Sequence, residues 1–256
     1  MLKRNQKLVL SCLMAFGFST ATQAGMIVSG IDNDYHAQRG AGDPAGNQYN
    51  LLLNQVNFLT GGNSADSFIT AAGIGGNFGN RELDDVFSSG DLAGSVDRIT
   101  EAAFNALSTA ALLSTYDLLL FTWNSSTSLN ADWATVIKPY LDGGGHVIWE
   151  DENNLGDLSA VITGSESNGS FGTGYQVSNV PGLTDGISGH FVNHHIGLTS
   201  WDPMFTSFIT GPAGDTFASR GIYYNYVPEP ETLALFGFGL IGLGLSRKRK
   251  ITRLAN

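Results

Sequence analysis

The stretch YDLLLFTWNSSTSLNADWATVIKPYLDGGGHVIW, residues 116–149, carries the pattern that decides the fold. An apolar run of strand length, 116–123, is followed by residues 129–142, whose apolar side chains recur at helical spacing. Three glycines then end the predicted helix, because glycine readily adopts the left-handed conformation found at helix C-termini. Residues 146–149 are a second apolar run. This order predicts a β-α-β unit with parallel strands, covered by helices on both faces of the sheet.

Other segments add strands and helices around this unit. A helix is predicted over 49–59, and the apolar spacing within 95–113 predicts one or two more. Further strands are predicted over residues 25–31, 67–72, 175–180, 189–197, 205–210 and 216–226. The sequence therefore indicates one α/β domain over residues 25–226.

The strand beginning Tyr-Asp, the helix after it, and YLDGGG with its apolar strand resemble a segment of the class I glutamine amidotransferase-like fold. Residues 182–195, GLTDGISGHFVNHH, resemble a later loop of that fold. The resemblance implies a flavodoxin-like three-layer sandwich with a mostly parallel sheet. Catalytic members carry a cysteine after the glycine turn, where this chain has Glu150. The only cysteine of the chain is Cys12, so cysteine-based activity is not expected to carry over.

Residues 1–24 predict a signal peptide and export through the Sec translocase. Lys3, Arg4 and Lys7 precede a short apolar run, 8–18, and small or polar residues lead to a cleavage site after Ala24. The alternative is an N-terminal membrane anchor. It is disfavoured because the apolar run is much shorter than the ~20 residues of a spanning helix.

The predicted exported part of the chain is strongly acidic. Residues 25–230 hold five Lys and Arg against 22 Asp and Glu, a formal charge of −17. Such a surface repels nucleic acid and anionic lipid, so no nucleic-acid partner is expected. The carboxylates either serve solubility alone or attract divalent cations. Since Cys12 lies in the predicted signal peptide, neither disulfides nor cysteine metal ligands are expected after cleavage.

The segment 227–250 has three parts in a fixed order. A Pro-Glu-Pro signature precedes the apolar run 233–245, and a basic cluster follows it. The signature and cluster residues are Val227, Pro228, Glu229, Pro230, Arg247, Lys248, Arg249 and Lys250. This arrangement resembles a PEP-CTERM sorting signal. The resemblance implies a Gram-negative bacterium that makes extracellular polysaccharide, and processing near Pro-Glu-Pro by a membrane-embedded exosortase.

The physical properties of the tail fit this interpretation. Thirteen residues of helix rise only ~20 Å, against a hydrocarbon core of ~30 Å. The basic cluster predicts that residues 251–256 are cytoplasmic and that the acidic domain lies outside the cytoplasm. We therefore expect a single transmembrane helix that holds the protein transiently in the inner membrane before it reaches the outer surface or extracellular matrix. A permanent tail anchor has the same topology and is the alternative.

Carboxylates at predicted strand ends are the first candidates for a ligand site: Asp32, Asp34, Glu150, Asp151 and Glu152. Ligands of parallel sheets bind beyond the carboxyl ends of the strands. If the two strands are neighbours, these acids converge on Ca²⁺, although no EF-hand spacing is present. The same acids offer an acid–base pair for glycan hydrolysis.

Histidines are the second candidates. His190 and His194 share one face of a predicted strand, and His195 lies on the other. Two histidines and an acid are a zinc ligand set, but the chain has no H-E-x-x-H motif. Partly buried, hydrogen-bonding histidines are the favoured interpretation.

Together these features predict a non-enzymatic, exosortase-sorted surface protein that associates with exopolysaccharide in a biofilm matrix. The alternative is a metal- or carboxylate-dependent glycan hydrolase that uses the strand-end acids.

Overall fold

The computed structural model describes residues 24–31, 33, 47–61, 69–75, 86–87, 91–121, 129–150 and 152–226. Only the backbone is described at 152–154, 166–173, 192–195 and 225–226. The chain divides into two compact units, residues 1–226 and 227–256, and every described residue belongs to the first.

The first unit alternates strands and helices in its first two thirds and is built of strands in its last third. The strands are β1 (Ala24–Ser29), β2 (Ile69–Ile74), β3 (Gly94–Ile99), β4 (Leu118–Phe121), β5 (His146–Trp149), β6 (Ile162–Thr173), β7 (Gln176–Val177), β8 (His190–Trp201), β9 (Thr206–Thr210) and β10 (Gly221–Tyr226). The helices are α1 (Asn47–Thr60), α2 (Glu101–Asn105), α3 (Thr109–Thr115) and α4 (Lys138–Asp142). A π-helical turn, Trp133–Ile137, leads into α4, and a 3₁₀ helix covers Glu152–Leu158.

Eight strands form the main sheet in the order β3-β2-β4-β5-β1-β10-β9-β7. The first five are parallel, and β10, β9 and β7 continue the sheet antiparallel. Strands β6 and β8 form a separate two-stranded antiparallel sheet. The predicted α/β architecture with a mostly parallel sheet is confirmed. The five parallel strands lie in the order β3-β2-β4-β5-β1, which matches the flavodoxin order 2-1-3-4-5 only if β1, the first strand of the chain, takes the place of the fifth. The flavodoxin-like fold therefore stays a prediction.

Two apolar cores lie on opposite faces of the main sheet. Leu118 and Leu120 of β4 belong to the core that includes Leu52 and Val56 of α1. Their neighbours on the strand belong to the other core, which contains residues of α3, the π-helical turn and α4. Side chains of a strand alternate between faces, so β4 is apolar throughout because helices cover both sides.

The β4–α4–β5 unit shows why its sequence pattern takes this form. The Tyr140 hydroxyl donates a 2.7 Å hydrogen bond to the carbonyl oxygen of Tyr116. The Asp117 carboxylate accepts hydrogen bonds from the backbone N–H and the hydroxyl of Thr70, at 2.8 and 2.9 Å. A side chain at Gly145 would collide with the Tyr140 ring, and Gly144 has a φ of 96°. The predicted β-α-β unit is confirmed, with parallel neighbours β4 and β5.

Residues 95–113 differ from the prediction. Residues Gly94–Ile99 form the edge strand β3, and only the remainder of the segment is helical. An edge strand is partly exposed and can carry charged residues. Because Asp97 and Arg98 are exposed in β3, its sequence lacks the apolar pattern of a buried strand and is compatible with the polar face of a helix. Pairing with β2 decides its conformation. The N-caps Thr100 and Ser108, whose side chains accept from backbone N–H groups, are the sequence signal for two separate helices.

Candidate functional site

The five parallel strands end at one edge of the main sheet, which we call the carboxyl edge. Strands β1 and β5 are neighbours there, with Val28 paired to Trp149. This is the neighbour relation that the cation hypothesis requires. Asn33 follows β1 and Glu150 follows β5, so the two residues meet at the carboxyl edge.

Glu150 is held in place by its backbone and by an amide. Its N–H donates a 2.8 Å hydrogen bond to the carbonyl oxygen of Phe121, which extends the β4–β5 pairing by one residue. Asn33 Nδ2 donates to Glu150 Oε1 at 2.9 Å and to Ser29 Oγ at 3.3 Å. Asn33 is 0% exposed and Glu150 is 4% exposed. The carboxylate is therefore fixed in a buried, polar position.

The amide oxygen of Asn33 is a buried acceptor at this position. Asn33 Oδ1 is buried and has no hydrogen-bond partner among the described residues. A buried acceptor left in this state costs about 1–3 kcal/mol, which a donor or a cation relieves. Amide and carboxylate oxygens suit hydroxyl groups and hard cations such as Ca²⁺.

The other predicted acids are less well defined. Asp32, Asp34 and Asp151 lie outside the described residues. Glu152 begins the 3₁₀ helix, and its side chain is not described. Within the described part of the chain, no three His, Cys, Asp or Glu side chains come together as a metal site.

Strand β8 of the two-stranded β6–β8 sheet passes close to the end of β1. The N–H of Gly30 donates a 2.6 Å hydrogen bond to the carbonyl oxygen of Arg220. A Cβ at Gly30 would collide with the carbonyl oxygen of Ile196 in β8. Glycine is therefore required where the two sheets approach each other beside the Asn33–Glu150 pair.

A buried ion pair fixes this approach. Arg220 Nε and Nη2 donate to the two carboxylate oxygens of Asp215, at 2.7 and 2.9 Å, and Nη1 donates to the carbonyl oxygen of Ile196 at 3.1 Å. The two side chains are 4% and 7% exposed. Burial raises the pKa of the nearby Tyr175 to about 12, an effect that Arg220 opposes and Asp215 reinforces. In the sequence, Arg220 is one of five positive charges in residues 25–230, and nothing in its local pattern predicts that it is buried.

Residues 227–250 match the family model of the PEP-CTERM protein-sorting motif. The chain carries a PEP-CTERM motif. This finding confirms the predicted sorting signal and supports an exported, exosortase-sorted protein. No curated protein and no solved structure gives a significant match, so the amidotransferase-like resemblance stays a prediction.

The PEP-CTERM motif begins at the residue after β10 and lies outside the described residues. The predicted apolar helix, 233–245, lies there too. Among the residues that the structure does describe, no helix is long and apolar enough to cross a membrane.

The predicted histidine candidates lie on strand β8. His190 and His194 both lie on β8, opposite Thr173 and Gly169 of β6. His190 is half-buried, and its carbonyl oxygen accepts a 2.7 Å hydrogen bond from Asn47 Nδ2 of α1. The side chain of His194 is not described. The described contacts thus connect His190 with α1.

One further histidine was not predicted as special. His146 begins β5, at the opposite edge of the sheet from Glu150, and is 4% exposed. Its Nδ1 atom is buried and has no hydrogen-bond partner among the described residues. Burial lowers the pKa of His146 to about 4, although the charge of Asp117 opposes this shift. His146 is therefore a neutral core residue at neutral pH.

Proposed function

We propose that this protein is an exported surface protein that an exosortase sorts, and that its folded unit associates with extracellular polysaccharide without catalysing a reaction. The observation that carries the proposal is the PEP-CTERM motif placed directly after the last strand of the folded unit. In this proposal the Sec translocase exports the chain, the tail holds it briefly in the inner membrane, and processing releases it.

The fold suits a tail that is removed. Strand β10 pairs with β1 on one side and β9 on the other, so it is an internal strand of the main sheet. All described core residues lie between Ala24 and Ile222. Cleavage beyond Tyr226 therefore leaves the described cores and strand pairs unchanged. The charge of −17 over residues 25–230 also disfavours lasting contact between the released unit and anionic lipid.

Mass spectrometry of the C-terminus tests the proposal. Protein from the cell surface is expected to end near Pro228, Glu229 and Pro230, and protein from a strain without exosortase is expected to keep Asn256. Replacing all three signature residues by alanine is expected to prevent processing, whereas Asp202→Asn in the folded unit leaves it unchanged. Surface protein that still ends at Asn256 refutes exosortase processing.

Binding to polysaccharide needs a separate measurement. The released protein is expected to co-sediment with exopolysaccharide from the producing strain and to leave the polymer length unchanged. A protein that stays in the supernatant at every polymer concentration contradicts the proposed matrix association.

A second candidate function is glycan hydrolysis, favoured by the buried carboxylate of Glu150 beside the Asn33 amide. A carboxyl group held in a fixed position by an amide can serve as a general acid when a substrate reaches it. Wild-type protein, with and without Ca²⁺, is assayed on a panel of glycans, with Glu150→Gln as the matched variant. Activity that is lost in Glu150→Gln supports the hydrolase, and an inert wild type excludes it for those glycans.

A further inference from the structure

We propose that the exposed face of the β6–β8 sheet binds uncharged glycan chains and is the surface through which the folded unit contacts the matrix. The inference rests on the proposed function, and it names the surface and the chemical class of polysaccharide that this surface takes. We call it the hydroxyl face, and it consists of the outward side chains of Thr163, Ser165, Thr199 and Ser200 with the ring of Phe217.

The alternation of side chains separates the hydroxyl face from the core. Ile162, Ile196 and Leu198 are buried in the apolar core that also contains residues of α3 and α4. Successive side chains of a strand point to opposite faces, so Thr163, the neighbour of Ile162, points outward. Ser165 lies two residues further along β6 and shares that face. Both Thr163 and Ser165 are exposed.

A β-bulge brings three hydroxyl groups together on this face. Thr163 pairs with Ser200, whereas the next residue, Gly164, pairs with Leu198. Thr199 is therefore the extra residue of the bulge, so two hydroxyls of β8 lie beside one of β6. Thr163 Oγ1 is 2.6 Å from Ser200 Oγ and 3.0 Å from Thr199 Oγ1. The three side chains are exposed, yet their contacts hold the hydroxyls in fixed mutual positions.

The hydroxyl cluster is suited to accept hydrogen bonds from outside. The Thr199 hydroxyl also donates a 3.2 Å hydrogen bond to the carbonyl oxygen of Thr163. Each hydroxyl has one donor and two acceptor lone pairs. The contacts within the cluster can use all of its donors, and they leave most of its acceptor lone pairs for other groups. Sugar hydroxyls are such donors, and a cluster that is already ordered loses little side-chain entropy when it binds them.

Phe217 adds an apolar contact beside the hydroxyls. Gly197 pairs with Ser165, and a Cβ at Gly197 would collide with the Phe217 ring. The ring therefore lies over the outer side of β8, two residues before Thr199. The guanidinium carbon of Arg220 is 4.6 Å from the ring centroid, and this cation–π contact helps to fix the ring. Phe217 is half-buried, so part of the ring stays exposed to pack against the C–H groups of a sugar.

Charge determines which class of glycan the surface accepts. The formal charge of −17 over residues 25–230 repels anionic polysaccharides. The described side chains of the hydroxyl face are all uncharged, so they offer no counter-charge to a carboxylate or sulfate group. An uncharged glycan with many hydroxyl groups fits both the cluster and the ring.

Affinity electrophoresis tests the inference with protein taken from the surface of the producing strain. The gels contain the neutral or the anionic fraction of the exopolysaccharide of that strain, separated by anion exchange. Thr163→Val together with Ser200→Ala removes two hydroxyls from the face, and Thr163→Ser keeps the hydroxyl. Thr206→Val is the matched control, because Thr206 is an exposed strand threonine on β9.

We expect the neutral fraction to retard the wild type, Thr163→Ser and Thr206→Val equally, and to bind the double variant about tenfold more weakly. Thermal melts check that each variant is folded, and Ser200→Ala alone replaces the double variant if that protein does not fold. Unchanged retardation of the hydroxyl variant, an equal loss in Thr206→Val, or a preference for the anionic fraction overturns the inference and leaves matrix association intact. A wild type that neither fraction retards refutes the inference together with the proposed matrix association.

Discussion

The buried ion pair of Asp215 and Arg220 leads to a prediction of how much stability is lost when its charge balance is broken. Asp215→Asn keeps the shape of the side chain and removes its negative charge. The guanidinium of Arg220, which is 4% exposed, then stays buried without its counter-charge. Breaking one partner of a buried pair costs about 3–5 kcal/mol. In a unit of about 200 residues, this loss lowers the melting temperature by roughly 10 °C.

The chain contains a matched control. Lys138 and Asp142 form an ion pair at 2.8 Å, close to the 2.7 Å of the buried pair, but their side chains are 49% and 41% exposed. Exposed pairs at this helical spacing contribute only about 0.3–0.5 kcal/mol. Asp142→Asn is therefore expected to change the unfolding free energy by a small fraction of the change in Asp215→Asn.

Urea denaturation of residues 24–226, followed by circular dichroism and tryptophan fluorescence, measures both variants. The double replacement Asp215→Leu with Arg220→Met is expected to recover part of the lost stability, because it leaves no unpaired buried charge. If Asp215→Asn is no less stable than Asp142→Asn, burial does not determine the strength of this pair and the reasoning is wrong.

Three more predictions concern the same unit. Burial holds the pKa of His146 near 4, below the ~6.5 of an unfolded histidine. The free energy of unfolding is therefore expected to be unaffected by His146 titration above about pH 6.5 and to fall by up to about 3 kcal/mol as the pH drops from there toward 4. Urea titrations of wild type and His146→Leu across this range check it, and a constant difference between them contradicts it. Gly30→Ala is expected to lower stability by about 1–3 kcal/mol through its clash with β8, whereas Gly156→Ala, with open space around its Cβ, is expected to change little; thermal melts compare them. Tyr140→Phe removes a buried 2.7 Å hydrogen bond and is expected to lower the free energy of unfolding in urea by about 1–3 kcal/mol. An unchanged urea midpoint would contradict this and show that the Tyr116 carbonyl oxygen finds another donor.

Predictions from the sequence succeeded where the signal is local. The apolar runs around Leu119 and Val147 and the glycines after α4 define the β-α-β unit, because helix covers both faces of its strands. Strand β3 was missed because an edge strand need not be apolar on either face. Pairing with β2 determines the conformation of β3, and the residues of β3 alone do not reveal this pairing.

The candidate site shows the same division. The sequence identified acids after two strands, and one of them, Glu150, does lie at the carboxyl edge. Its described partner there is Asn33, an uncharged residue that the charge pattern did not single out. The position of Arg220 also depends on Asp215 and on the carbonyl oxygen of Ile196 in β8. The number of charges in the sequence therefore could not predict that Arg220 is buried.

The sequence by itself determined the PEP-CTERM motif, because it is a continuous segment whose order of signature, apolar run and basic cluster is complete without a fold. It also determined the β4–α4–β5 unit, whose hydrophobic pattern is local. Only the tertiary structure decided that β1 lies between β5 and β10, because strand order depends on hydrogen bonds between segments up to about 200 residues apart. That single placement brings Asn33 to Glu150 and brings both ends of the folded unit to the same edge of the sheet.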